Sequence, residues 1–193
     1  MRPLHLEKKG LRGLAIAESF RQNSRKSILA GIVMRRDFVI DGFVFGSATI
    51  DGDDATDSIL QMYDDLKRPD ISYLLISGLI ISLYNIVDIK KISDSLKIPV
   101  IGITYKESEG IENSIKHHFP NSYKSKIKKY QKLGLRKKIT LHTSSVVFVR
   151  KEGCVLHDVK FLLNELTLQG SFPEPLRVAQ LLAKSLLQKG LSF

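Results

Sequence analysis

The stretch ISYLLISGLIISLYNIVDIKKISDSLKIPVIGIT, residues 71–104, decides the fold class. Its opening run, Ile71–Ile76, is apolar without alternation and stops at Ser77-Gly78, the pattern of a strand buried on both faces. Tyr84–Leu96 then puts Ile86, Ile89, Ile92 and Leu96 on one helical face, and Ile98–Thr104 is a second apolar run. A strand, a helix and a strand of these lengths predict a β-α-β unit with parallel strands.

Upstream, Leu11–Glu18, Ser27–Met34 and Phe38–Ile50 read as three strands, separated by a polar turn at 19–26 and by RRD at 35–37, the spacing of antiparallel hairpins. Asp54–Lys67 carries Ala55, Ile59, Met62, Tyr63 and Leu66 at helical spacing, with Pro69 past its end. Downstream, Ile111–His118, Ser122–Leu133, Val155–Leu166 and Glu174–Gln188 are predicted helices, and Ile139–His142 with Ser145–Arg150 makes a hairpin or one broken strand. The order β-β-β-α-β-α-β followed by helices fits an α/β domain with a mixed sheet of ribonuclease H-like type. A chain of 193 residues, 43% hydrophobic and without internal repeats, is expected to fold as a single domain over residues 1–193.

Charge is concentrated. Of the 30 Lys and Arg, eleven fall between Asn113 and Lys151, where no Asp or Glu occurs, so the other 19 are balanced by the chain's 20 acids. All the net charge of +10 therefore lies in the stretch 113–151, most of it in a helical segment at about 113–138, and this points to a polyanion. The candidate phosphate-binding residues are Lys124, Lys126, Lys128, Lys129, Lys132, Arg136, Lys137 and Lys138. Tyr123, Ile127 and Tyr130 form a stripe on the same helix that is expected to be its buried face.

Other classes are excluded. No run reaches the roughly 18–20 apolar residues of a membrane span, and MRPLHLEKKGLRG lacks the apolar core of a signal peptide, so a cytoplasmic protein without a membrane partner is expected. Cys154 is the sole cysteine, which rules out an intrachain disulfide and a thiolate zinc cluster. His117, His118, His142 and His157 offer no i, i+4 pair for zinc.

DGDDAT, residues 51–56, holds the densest acids beside a strand end. Asp53 or Asp54 can cap the following helix and Asp51-Gly52 can make the turn, since acids suit a helix N-terminus. Alternatively Asp51 or Asp54 lines a pocket with Glu18. Its spacing does not match a calcium-binding loop. Asn85 and Asp88, three apart on the predicted helix, can face one cleft or serve as caps and solvent contacts. Glu174 and Arg177 in PEPLR can pair at the start of the last helix or join that cleft.

IDGDDAT (50–56), YNIVDI (84–89), IPVIGIT (98–104) and PEPLRVAQLLA (173–183) together resemble the archaeal family known as domain of unknown function ninety-nine, which is similar to endonuclease V. The resemblance runs from Leu11 to Leu187 and implies a ribonuclease H-like fold, with phosphodiester cleavage by metal-activated water and Mg²⁺ or Mn²⁺ as cofactor. It also implies acids on the first strand and at the end of the fourth. The matching first-strand residues are Ala15-Ile16-Ala17-Glu18, with alanine at the aspartate position 17, and the fourth-strand motif reads Ser77-Gly78 where Asp-Gly is expected. Neighbouring strand side chains point to opposite faces, so Glu18 does not simply replace residue 17.

The expected function is therefore nucleic-acid binding with weakened or lost metal-dependent nuclease activity. An active Mg²⁺- or Mn²⁺-dependent endonuclease with ligands moved to Glu18, Asp51 and Asp54 is the first alternative. A small-ligand or protein-interaction module using the cleft of Ser77, Asn85, Asp88, Glu174 and Arg177 is the second.

Overall fold

A computed structural model describes residues 4, 6–8 and 10–191; residues 1–3, 5 and 9 of the N-terminal stretch read against a leader sequence, and residues 192–193, lie outside the described residues. The three opening strands are β1 (Arg12–Ser19), β2 (Lys26–Arg35) and β3 (Ile40–Thr49), followed by α1 (Ala55–Leu66) and β4 (Ile71–Ser77). A miniature hairpin, β5 (Ile80–Ile81) with β6 (Asn85–Ile86), leads to α2 (Ile89–Leu96) and β7 (Val100–Thr104). Then come α3 (Glu112–His118), α4 (Tyr123–Lys132), β8 (Lys137–Thr140), β9 (Val146–Glu152), α5 (Leu156–Leu166) and α6 (Glu174–Gln188).

Seven strands form one mixed sheet in the order β3-β2-β1-β4-β7-β9-β8. β1, β4 and β7 run parallel at its centre, flanked on one side by antiparallel β2 and β3 and on the other by the β9-β8 hairpin. The predicted β-α-β unit is thus present, and 139–150 is a hairpin, as one of the two readings had it.

Side-chain alternation sorts the core into two layers. Leu14, Ile16, Leu74 and Ile76 pack with Ile59 and Met62 of α1 and Ile89 and Ile92 of α2. Ala15 and Leu75 pack on the other face with Val159 and Leu162 of α5 and Leu176 of α6, and Ala17 packs there with Ile32, Met34 and Ala179. The parallel register pairs Ile16 with Ile76, so Ala17 and Ser77 come next on adjacent strands.

The predicted helix over Tyr84–Leu96 starts five residues late, at Ile89, and residues 80–86 form the small hairpin instead. Ile86 is buried, as the helical spacing required, but it is buried in a strand. The true start is chemically marked: the Asp88 side chain accepts a 2.9 Å bond from the Lys91 amide. Asp88 is therefore a cap, and Asn85 stands apart from it on β6.

Candidate functional site

The parallel strands end at a surface built from three segments: the end of β1 at Glu18, the turn from β3 into α1, and the β5-β6 hairpin. Ser82, fully buried at the hairpin tip, ties all three together. Its amide donates to both Glu18 oxygens, at 2.7 and 2.9 Å, and its hydroxyl donates to Glu18 Oε2 at 2.7 Å. Ser27 Oγ shares a 2.7 Å hydrogen bond with Ser82 Oγ, and the Ser82 carbonyl accepts from the Asp51 amide at 2.9 Å. Burial pushes the Glu18 carboxyl above the usual range, against the opposing bonds from Ser82.

Asp54 occupies the cap position of α1, but its side chain makes no cap bond. Its carboxylate turns back to the end of β3, accepting from the Thr49 amide at 3.0 Å, the Thr49 hydroxyl at 2.6 Å and Asn85 Nδ2 at 2.6 Å. Burial opposes its charge, yet the bonds from Thr49 and Asn85 hold the carboxyl below the usual carboxylate range. The cap is supplied by Asn85, whose Oδ1 accepts from the Ala55 amide at 3.1 Å. The expectation that Asp53 or Asp54 caps α1 is corrected accordingly: Thr49 presents two donors at short range, and a neutral carboxamide takes the helix end.

The turn itself is as expected, with Asp51 in the left-handed region at φ 59 and the Gly52 amide bonded to Thr49 O. It is fastened from α4. Lys126, expected among the phosphate contacts, is only 5% exposed. Its ammonium donates to the carbonyls of Asp51, Gly52 and Tyr84 at 3.1, 3.0 and 3.2 Å and lies 4.7 Å from the centre of the Phe119 ring. Lys129 pairs with Asp53 at 2.9 Å. The buried residue of α4 is thus a lysine, while Tyr123, Ile127 and Tyr130 are only half-buried. Carbonyls that the tight turn leaves without partners attract a cation more strongly than an apolar side chain.

Lys124, Lys128, Lys132, Lys137 and Lys138 remain on the surface. Arg136 is drawn aside: it donates to Lys106 O and Ser108 O and lies over the Phe148 ring. Beside it, a cavity of about 560 Å³ opens where β4 and β7 end. Tyr105 and Phe172 stack in its wall with centroids 3.7 Å apart, and Arg150 lies over the Tyr130 ring. Burial pushes the Tyr105 phenol above its usual range. Ser77, Gly78 and Ile80 complete the wall. Gly102 is needed in it because a Cβ there would meet the Leu79 side chain at 2.3 Å. Sequence reading missed Tyr105, Phe148, Arg150 and Phe172 as wall residues; only the charge of Arg150 had marked it. Glu174, almost buried, pairs with Arg177 at the start of α6 and not with the cleft acids.

Divalent metal chemistry requires converging carboxylates, and the residues present do not fit it. Ala17 and Ser77 bring none. Glu18 faces the α1 and α2 layer by strand alternation, and its oxygens are occupied by Ser82. Asp54 is occupied by Thr49 and Asn85. Among the described residues, no group of three or more His, Cys, Asp or Glu is placed to hold an ion.

Residues 9–187 match the model of the endonuclease dU family. The chain belongs to that family. A UPF0215 protein of Pyrobaculum calidifontis is 30% identical over 171 residues, covering 88% of this chain and 93% of that one. A crystal structure of a protein of unknown function from Archaeoglobus fulgidus superposes with a TM-score of 0.78 at 24% identity, covering 91% and 98%. Endonuclease V of Ciona intestinalis, solved with a 24-mer DNA containing an inosine followed by a ribo-adenosine, superposes with a TM-score of 0.61 at 14% identity, covering 93% and 88%. This endonuclease dU family member therefore has the ribonuclease H-like fold of endonuclease V. No helix among the described residues is long and apolar enough to cross a membrane.

Proposed function

We propose that this endonuclease dU family member binds nucleic acid through its basic surface and strand-end cavity, and that strand cleavage by carboxylate-held metal ions is weakened or lost. The observation that carries the reading is the commitment of Glu18 and Asp54 to protein donors beside Ala17 and Ser77, while the cationic and aromatic cavity stays open. A cavity of about 560 Å³ falls within the roughly 300–1,000 Å³ of small-ligand pockets, and aromatic and guanidinium planes suit a nucleobase. The surface lysines of α4 and β8 supply phosphate contacts without sequence preference.

The family description and the inosine-bearing DNA of the Ciona intestinalis relative make strands carrying deoxyuridine or inosine the first ligands to test. Gel-shift titration of single-stranded, duplex and structured DNA and RNA should give binding that weakens with salt. Lys124→Ala and Lys128→Ala should each lower the salt slope by about one. Failure to bind any of these at low salt overturns the reading. Cleavage of any of them with Mg²⁺ or Mn²⁺, abolished by Glu18→Gln, overturns the loss of activity and restores the alternative with relocated ligands.

A further inference from the structure

Residues 106–110, KESEG, leave the end of β7 as a strap that little holds in place. Among the described residues, no backbone bond joins this strap to another segment, and its own bond runs from the Gly110 amide to Ser108 Oγ at 3.2 Å. A single side chain fastens it: Arg136 donates to Lys106 O at 3.1 Å and to Ser108 O. Tyr105, stacked on Phe172, anchors one end, and at the other Gly110 stands at φ 119, where glycine is at ease and other residues are strained. Exposed backbone with few bonds opens at low free-energy cost, so the exposed residues 106–109 are the part able to move.

The strap also stands between two cavities. Lys106 and Ser108 line the strand-end cavity, while Glu107, Glu109 and Glu112 line a second one of about 480 Å³. Arg136, Arg150, Phe148 and Tyr130 line both, so the two spaces meet at the strap.

The charges of the second cavity are mismatched. Three glutamates share it with two guanidiniums, yet among the described residues none of the three forms an ion pair. Both guanidiniums bond main-chain carbonyls instead, Arg136 as above and Arg150 through Nε to Gly134 O at 2.8 Å. A guanidinium grips a phosphate through two parallel charge-assisted hydrogen bonds, which a carbonyl does not offer. A phosphate arriving here therefore outcompetes Lys106 O and Ser108 O for Arg136, while the unpaired carboxylates oppose its arrival until the strap lifts.

We propose that Arg136 and Arg150 form a phosphate clamp that the strap 106–110 masks in the free protein, with Glu107 and Glu109 as the repelling charges. The proposal rests on the nucleic-acid reading above and adds a regulation of that same surface. Arg136 exchanges the strap carbonyls for a backbone phosphate, the strap swings out, and the two cavities join.

The test uses the full chain and labelled single-stranded and duplex DNA. Glu107→Gln with Glu109→Gln, which keeps side-chain size, should bind about tenfold tighter at low salt, within the usual range of coupling between two sites. Asp64→Asn with Asp65→Asn makes the same charge change at the far end of α1 and should leave affinity within about twofold, because salt screens charges at that range. The glutamyl endopeptidase Glu-C, which cuts after Glu107 and Glu109, reads the position of the strap itself. DNA should speed this cleavage several-fold in the wild type. Arg136→Ala should be cut at the faster rate without DNA, gain nothing when DNA is added, and lose about one from its salt slope. Equal tightening by the two double variants, no tightening by the strap variant, or DNA that slows cleavage at the strap overturns the strap alone. Absence of binding to any DNA or RNA at low salt overturns it together with the functional reading.

Discussion

Asn85 Oδ1 lies 3.1 Å from the Ala55 amide, so helix α1 is capped by a residue 30 positions away while its own Asp54 faces the preceding strand. The carboxamide does two jobs at once, since its Nδ2 also donates to Asp54 at 2.6 Å and to Thr49 O at 3.0 Å. Neither Asp nor Ala can do both.

Asn85→Ala should cost about 2–3 kcal/mol, because it removes a cap and leaves buried partners unpaired. Asn85→Asp puts a second carboxylate against Asp54, so its defect should be larger at neutral pH and shrink as the pH falls. Urea unfolding of both variants at pH 7 and pH 4 checks this. A pH-independent Asn85→Asp defect contradicts the arrangement.

Much of the architecture was legible beforehand and some of the site was not, for physical reasons. Ile71–Ile76 and Ile98–Thr104 read as strands because burial on both faces leaves a continuous apolar run. Asn85 was placed on a helix because Ile86, Ile89, Ile92 and Leu96 share one spacing, and periodicity does not distinguish a strand residue buried for another purpose. Lys126 was counted with the phosphate-facing cations because a charge run is silent about which member turns inward. The losses at 17 and 77 could be stated from the motif, whereas the engagement of Glu18 by Ser82 depends on a contact across 64 positions.

Lys126→Met preserves length and removes the donor. It should destabilise the fold by about 2–3 kcal/mol through three unpaired carbonyls, lowering Tm by roughly 5–10 °C for a domain of this size. Lys124→Met, on the exposed face of the same helix, should shift Tm by less than about 2 °C. Equal shifts in a thermal melt would count against the buried role of Lys126.

Glu18 and Asp54 should pull the pH profile of stability in opposite directions. Asp54 has a lowered carboxyl, so its contribution is present above the ordinary aspartate range and is lost as pH falls through its folded value. Glu18 has a raised carboxyl, so its contribution is complete below the ordinary value of 4.5 and is lost as pH rises through the folded value. Glu18→Gln should therefore remove a decline in stability on going upward from pH 4.5 while leaving the acid limb in place. Urea midpoints across this interval decide the matter.

Ala17→Asp with Ser77→Asp adds two carboxylates on adjacent strands, facing the α6 layer. Without a cation they should lower stability by about 3–5 kcal/mol as uncompensated buried charges. Millimolar Mn²⁺ should recover a large part of the loss, and wild type should show no such response. A double variant whose melting temperature ignores Mn²⁺ refutes the assignment of these positions as the missing ligand pair.

Fastening a helix by a lysine has a chemical corollary. The Lys126 amine is shielded from acylating reagents for as long as α4 sits against the turn at Asp51 and Gly52, whereas Lys124 and Lys128 on the same helix are open to them. The reactivity of this one amine, relative to its neighbours, therefore meters the fraction of molecules in which the basic helix has lifted away. The protein carries its own gauge of that contact, and the nucleic acid proposed to lie across the helix should be detectable by whether it holds the gauge shut.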